Sequence, residues 1–287
     1  MTFPNLALAV IGDEIGPTLD EMISFCVEHN IRYLDMRTVN GRNLMGMTTD
    51  EVATIARTIE SAGLRVPTFV SPLLKWPMPG KETPGGKVDF AFDPATCPSE
   101  DPLVHAFDVA TILKAHRIRT FSHLRYAGYK PFDLVPRFER LVDLSAAYSV
   151  DIEIENEPVC NIGSVADLTA FFAAYPAPVP GTLRPLIDVA NGWSMGLPPT
   201  DADILPLAKR IDAIHLKDRD MAAKRTVPLG DGDIPWGEEL KRLLSRTKSK
   251  QVFASIETHC PGDGRNATAR SVAALRRIAG EIGVEVV

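Results

Sequence analysis

The sequence predicts a (β/α)8 barrel with a metal site at the C-terminal rim of its strands, and three observations carry that expectation. Apolar runs of strand length alternate with amphipathic stretches of helical period from end to end, which is the pattern of an α/β protein. Eight strand candidates fit a single domain over residues 1–287, an ordinary size for a barrel. Four of the later runs, VDIEIENEP, RPLIDVANG, IDAIHLKDRD and VFASIETH, each end in a residue able to bind a metal: Glu155, Asp188, His215 and Glu257. Their separations of 33, 27 and 42 residues are what one strand, one loop and one helix consume. A parallel barrel brings the C-terminal ends of successive strands to one rim, so these residues converge.

The elements follow in order. LALAVIG (6–12) reads as strand one, and TLDEMISFCVEH as a helix with Leu19, Met22, Ile23 and Cys26 on one face and Thr18 as its N-cap. IRYLDMR is strand two, and TTDEVATIARTIESAG is a helix that Thr49 and Glu51 open and Gly63 ends. LRVPTFVSPLL begins strand three. Residues 76–100, rich in Pro and Gly, break the rhythm and are expected to form an insertion over the barrel mouth. A helix from about 101 to 116 precedes strand four in IRTFSHLRY, and a helix at 133–148 leads into strand five. SVADLTAFFAAY is the next helix. Strands six, seven and eight lie around 184–190, 211–217 and 251–257, and a helix at about 266–282 closes the ring.

Bulk properties remove several function classes. A net charge of −6 argues against a nucleic-acid surface, which is usually basic. No apolar stretch approaches the roughly 18 residues that suggest a membrane span. The start, MTFPNLALAVIG, has no basic residue before its apolar run and reads as a strand rather than an export signal. Cys26, Cys97, Cys160 and Cys260 show no paired spacing, so free thiols and a cytoplasmic location are expected. PLGDGDIPW is Gly-rich but lacks G-x-x-x-x-G-K-[ST], which argues against nucleoside triphosphate binding.

The chemistry concentrates in the later strands. Glu153, Glu155 and Glu157 share one parity of strand five, opposite Ile152 and Ile154. Carboxylates crowded on an interior face need neutralisation, and a divalent cation supplies it directly. Parity does not choose among them, but Glu155 lies deep enough to be held rigidly and late enough to reach the rim. Three carboxylates and one imidazole form a hard site suited to one divalent ion, with Mn²⁺ the first expectation and Mg²⁺, Co²⁺ or Zn²⁺ acceptable. Arg37, Lys75, His123, Arg125, Asn156, Glu157, Asn191, Lys217 and His259 are the expected substrate-binding residues. Basic groups around a mouth suit a polyol, a keto acid or a phosphate. Trp76 and Trp236 could offer apolar faces to a sugar ring.

The motifs IENEP, IDVANG, IHLKD and SIETH resemble the strand-end motifs of the xylose isomerase-like TIM barrels. The closer likeness is to the sugar phosphate isomerase/epimerase group, which includes ketose 3-epimerases and inosose dehydratase. LDMR, SPLLK, FSHLR and PLGDGDIPW extend it over most of the chain. The resemblance implies Glu155, Asp188, His215 and Glu257 as metal ligands, with the two glutamates acting as acid and base on opposite faces of a sugar. It also implies a homo-oligomer. The chain departs from the epimerases in offering Asn191 where they carry a histidine soon after the strand-six aspartate, and in how Glu157 matches their second acid.

The expected function is therefore a metal-dependent sugar or sugar phosphate isomerase or epimerase working through an enediolate, with Glu155 and Glu257 moving the proton. If a hydroxyl β to the carbonyl leaves instead, the same site is a lyase or dehydratase acting on a keto-sugar, keto-glycoside or inosose. A non-catalytic sugar-binding barrel is the third reading. A barrel resembling endonuclease IV would need several zinc ions and many histidines. This chain has six, of which His29, His105 and His116 fall in helical or pre-helical segments.

Overall fold

The computed structural model describes residues 3–84 and 92–287. Its main sheet has eight parallel strands: β1 Asn5–Ile11, β2 Tyr33–Asp35, β3 Thr68–Leu73, β4 Arg117–Thr120, β5 Asp151–Glu155, β6 Leu183–Asp188, β7 Ala213–Leu216 and β8 Gln251–Ile256. Their order is β2-β1-β8-β7-β6-β5-β4-β3. The two end strands meet through bridges between Tyr33 and Arg65 and between Met36 and Phe69, which closes the ring. Asp35 completes this seam from inside. Its Oδ1 accepts the Thr68 N–H at 2.9 Å, and its Oδ2 accepts the Ser255 hydroxyl.

Helices α1 Leu19–Glu28, α2 Thr49–Ser61, α3 Pro102–Ile112, α4 Val135–Tyr148, α5 Val165–Ala174, α6 Val189–Ser194, α7 Asp201–Ile204, α8 Trp236–Arg246 and α9 Gly264–Ile282 surround the strands. Thr18 and Glu21 form a capping box on α1, and α2 opens at Thr49 as expected, capped by Thr48 with Glu51. The outward faces of the strands, with Ile152 and Ile154 on β5, pack on buried helix residues such as Phe107, Phe138, Phe171 and Leu240. Each such side chain contributes roughly 1.5–3 kcal/mol by leaving water.

Three expected boundaries move, each for a local reason. Strand four stops at Thr120, and His123 then takes a left-handed φ of 57° that turns the chain. The helix expected to reach 116 ends at Ile112, with Lys114 at φ 56°. Strand six ends at Asp188 because that carboxylate caps α6, so residues expected to extend the strand are helical. Trp236 is another correction. It starts α8 with 2% of its surface exposed, inside the hydrophobic core, and offers no face to a sugar. The centre of the Pro/Gly-rich insertion, residues 85–91, lies outside the described residues. Of its flanks, Phe92 packs on Trp76 with ring centroids 6.3 Å apart.

The lumen is lined with charge. Below the rim, Arg117 Nε stands 3.0 Å from Glu153 Oε1, and its Nη2 donates to Asp212 at 3.1 Å. Burial, reinforced by Asp212 and Asp35, outweighs Arg117 and pushes Glu153 from 4.5 up to about 8. Burial likewise raises Asp35 to about 6. Between its unfolded and folded values a raised carboxyl holds its proton in the native state alone, so stability falls as pH rises through that window.

Above the rim, Asp218–Asp220 pairs antiparallel with Arg225–Val227. Asp218 anchors the following loop by accepting N–H groups of Arg219 at 2.8 Å, Gly230 at 2.9 Å and Ile234 at 3.2 Å. A Cβ on Gly232 would lie 2.4 Å from Asp218 Oδ1 and 2.5 Å from the Arg219 carbonyl oxygen.

Two outcomes are expected. Glu153→Gln should flatten the decline of unfolding free energy between about pH 5 and pH 8; urea titrations with equal wild-type and variant slopes would count against this account of Glu153. Gly232→Ala should cost about 2 kcal/mol or more, because backbone rather than a flexible side chain must give way. A thermal melt coincident with wild type would contradict the packing described.

Candidate metal centre

Four strand ends deliver four donors. Glu155 is the last residue of β5 and Asp188 the last of β6, His215 lies near the end of β7, and Glu257 follows β8 directly. All four are at most 2% exposed. One ligand atom from each can be chosen so that the set lies within 4.8 Å of one another.

The carboxylates share a design in which one oxygen is tied to a fixed donor and the other turns inward. Asp188 Oδ1 accepts the Asn191 N–H at 2.8 Å as the helix cap. Glu257 Oε1 accepts from Arg37 Nη1 at 3.0 Å. Glu155 Oε2 accepts from Arg119 Nη1 at 3.2 Å. The inward atoms are then Glu155 Oε1, Asp188 Oδ2 and Glu257 Oε2, with His215 Nδ1 at 3.2 Å from the first and 3.5 Å from the last. Lys217 Nζ lies 2.6 Å from Asp188 Oδ2 and 2.8 Å from Glu257 Oε2.

Electrostatics follows from this crowding. Burial opposes ionisation of Glu155, but His215 and Arg119 overcome it and hold the carboxyl down at about 2. Glu257 is also held well below the usual range, chiefly by Lys217 and His259 against the same burial. Burial disfavours a charged imidazole, yet Glu155 and Glu257 push His215 up to about 10. These carboxylates thus remain ionised in a dry site, which only a compensating cation permits.

The structure places the expected substrate-binding residues in two groups. Arg37 edges a cavity of about 710 Å³ beside Asp13, Glu14 and His259, whereas Asn156 is enclosed. The Arg37 guanidinium spans Asp13 at 3.0 Å, Glu14 at 2.6 Å and Glu257 at 3.0 Å, and is 2% exposed. Asn156, fully buried, donates to the Asp188 carbonyl at 2.8 Å and accepts its N–H at 2.9 Å, clamping the ends of β5 and β6 together. Asn191 joins the clamp by donating to the Asn156 carbonyl at 2.8 Å. His123 is buried, its Nδ1 3.1 Å from the Trp76 carbonyl, and burial lowers it to about 4. Arg125 donates to the Cys160 carbonyl at 3.4 Å. Five of the expected residues do meet: Lys75, Glu157, Asn191, Lys217 and His259 line one cavity of about 340 Å³ at the mouth, with Ser194 beside them, and Lys75 and Glu157 are 3.5 Å apart.

Sequence reasoning passed over Arg119, Asp13 and Glu14. Glu14 lies three residues beyond the end of strand one, so a strand-end rule widened by one short turn reaches it. Arg119 shares the parity of Arg117 on β4, and the register sets it opposite Glu153 on a neighbouring inward-facing strand. A larger cavity of about 790 Å³ lies at the opposite end of the barrel, around Tyr33, Arg65, His116 and Phe253. It contains none of these groups, and barrel chemistry belongs to the C-terminal rim.

Comparison with known proteins agrees with the architecture. No curated protein sequence matches the chain. Among solved structures, it is similar to an IolI protein with a bound zinc atom, at 13% identity and TM-score 0.72, covering 96% of this chain and 99% of that one. It is similar to the probable 3-DHS dehydratase AsbF, involved in petrobactin synthesis, from Bacillus anthracis, at 15% identity and TM-score 0.69, with coverage of 96% and 99%. A D-psicose 3-epimerase solved in the presence of D-fructose matches at 13% identity and TM-score 0.66, again over 96% and 99%. At these identities the likeness speaks for the fold. The profile of the xylose isomerase-like TIM barrel family matches residues 23–278, and the chain belongs to that family.

Proposed function

We propose that this chain is a divalent-metal-dependent isomerase or epimerase of a sugar or sugar phosphate. The observation that carries the reading is the convergence of one inward-facing atom each from Glu155, Asp188, His215 and Glu257 at the barrel rim. Three carboxylate oxygens and an imidazole nitrogen fit a hard divalent ion such as Mn²⁺, Mg²⁺, Co²⁺ or Zn²⁺, with Mn²⁺ favoured. A cytoplasmic location and a homo-oligomeric state belong to the same proposal.

When bound, such an ion supplies polarisation of a carbonyl and its neighbouring hydroxyl, which stabilises the charge that builds on oxygen. The chain's own residues do the rest. One of Glu155 and Glu257 takes the proton α to the carbonyl and, for isomerisation, returns that same proton to the neighbouring carbon; for epimerisation the other glutamate first takes up a proton from a substrate hydroxyl or solvent and delivers it to the opposite face. Arg119 and Arg37 aim these carboxylates, each by holding the outward oxygen. Glu157, Lys75 and His259 face the mouth cavity, where substrate hydroxyls would sit.

A second reading, a dehydratase acting on a keto-sugar or inosose, is favoured by the cations of that cavity. Lys75, Lys217 and His259 suit a substrate carrying a carboxylate or a departing oxygen.

The test joins composition to turnover. Purified or reconstituted protein should hold about one divalent ion per chain. Glu155→Gln, Asp188→Asn and His215→Gln should each lose it. His215 can ligate only as the neutral imidazole, so uptake near neutral pH should release a proton, and affinity should rise with pH toward about 10. Glu257→Gln should cut turnover of the responsive ketose, keto acid or inosose by roughly 10²–10⁴-fold. Protein that takes up none of the four ions would sink the proposal. Metal-loaded protein that binds sugars with equal affinity in wild type and Glu257→Gln, and turns none over, would establish a binding barrel instead.

A further inference from the structure

The proposed centre contains a cation of its own. Lys217 Nζ contacts Asp188 Oδ2 and Glu257 Oε2 at 2.6 and 2.8 Å, and these are the inward oxygens, since Asn191 N–H and Arg37 Nη1 hold their partners. Arg37 and Arg119 behave differently, for their contacts fall on the outward oxygens Glu257 Oε1 and Glu155 Oε2. A divalent ion bonded to both inward oxygens would leave two like charges in contact with the ammonium. The guanidinium groups can stay, but the ammonium must leave.

Its exit is built into the mouth. Lys217 also lines the cavity of about 340 Å³, together with Glu157, Asn191 and Ser194. Glu157 is 18% exposed there and 3.5 Å from Lys75, so it offers a carboxylate to an arriving ammonium. A lysine stem carries its charge through several rotatable bonds, which a guanidinium fork does less readily.

We infer that Lys217 is a displaceable internal cation: it holds Asp188 and Glu257 together, yields their inward oxygens to the metal, and is thereby delivered to the mouth as a substrate-facing charge. This rests on the metal-centre reading above and adds an order to it, metal before substrate. Removing the amine should therefore strengthen metal binding, the opposite of what loss of a ligand or of a merely supporting residue would do.

The experiment compares wild type with Lys217→Met in chelator competition for Mn²⁺ and Zn²⁺, with melting temperatures recorded before and after loading. Lys217→Met is expected to bind at least tenfold more tightly, to melt lower than wild type before loading, and to gain more from metal. Equal or weaker binding in the variant overturns the inference while leaving the metal centre standing. A wild type that takes up no ion overturns both. Trace acetylation of wild-type protein covers the case in which the variant fails to fold: labelling of the peptide carrying Lys217 should rise at least threefold on loading, and unchanged or reduced labelling overturns the inference.

Discussion

The rim of this barrel holds carboxylates that are almost wholly buried, and each of them meets a positive charge. Glu155, Asp188 and Glu257 at the rim meet Arg119, Lys217, Arg37 and a protonated His215. Glu153, one layer down, meets Arg117. Burial of charge at this density is tolerated only when partners are close and their remaining hydrogen-bonding capacity is used. The sheet order supplies that closeness, because β5 to β8 are sequential neighbours and their ends stack their donors at one level. Closure at the seam matters for the same reason. An open edge between β2 and β3 would admit water to Asp35 and loosen Ser255 beneath Glu257.

Much of this was legible in the sequence because the informative features are local. A strand that ends in an acid or imidazole announces itself by a short apolar run, and four in succession marked the residues that converge at the rim. Arg119 was harder to see. Its meaning comes from lying beside β5 in one particular register, and register between separate strands is set by the whole ring rather than by a motif. Asn156 shows the other limit. An asparagine after the strand-end glutamate suggests contact with substrate, but its amide matches the two backbone groups of Asp188, and a buried backbone group left unpaired would be costly. The overrun of strand six has the same root: Asp188 caps a helix and faces the centre at once, and hydropathy alone does not register the first duty.

Both duties of Asp188 fit the wider organisation. The cap holds one oxygen still and thereby aims the other. Asn156 pairs with both backbone groups of Asp188, and Asn191 in turn holds the Asn156 carbonyl. Across the mouth, Asp218 does for the 218–234 loop what Asp188 does for α6, gathering three N–H groups from residues spread along it. That loop begins next to Lys217, so the backbone that carries this lysine is anchored by Asp218.

One oxygen inward and one tied outward also sets the denticity of the proposed centre. Each carboxylate can offer a metal a single bond, so the protein fills four positions at most. Calcium, which takes six to eight oxygens and often a carboxylate edge-on, finds no second oxygen from any of the three. A smaller octahedral ion would keep two positions open, enough for two neighbouring oxygens of one polyol. In the proposed centre, Arg37, Arg119 and the Asn191 N–H that tether the outer oxygens would thereby act as a filter on the ion's coordination number.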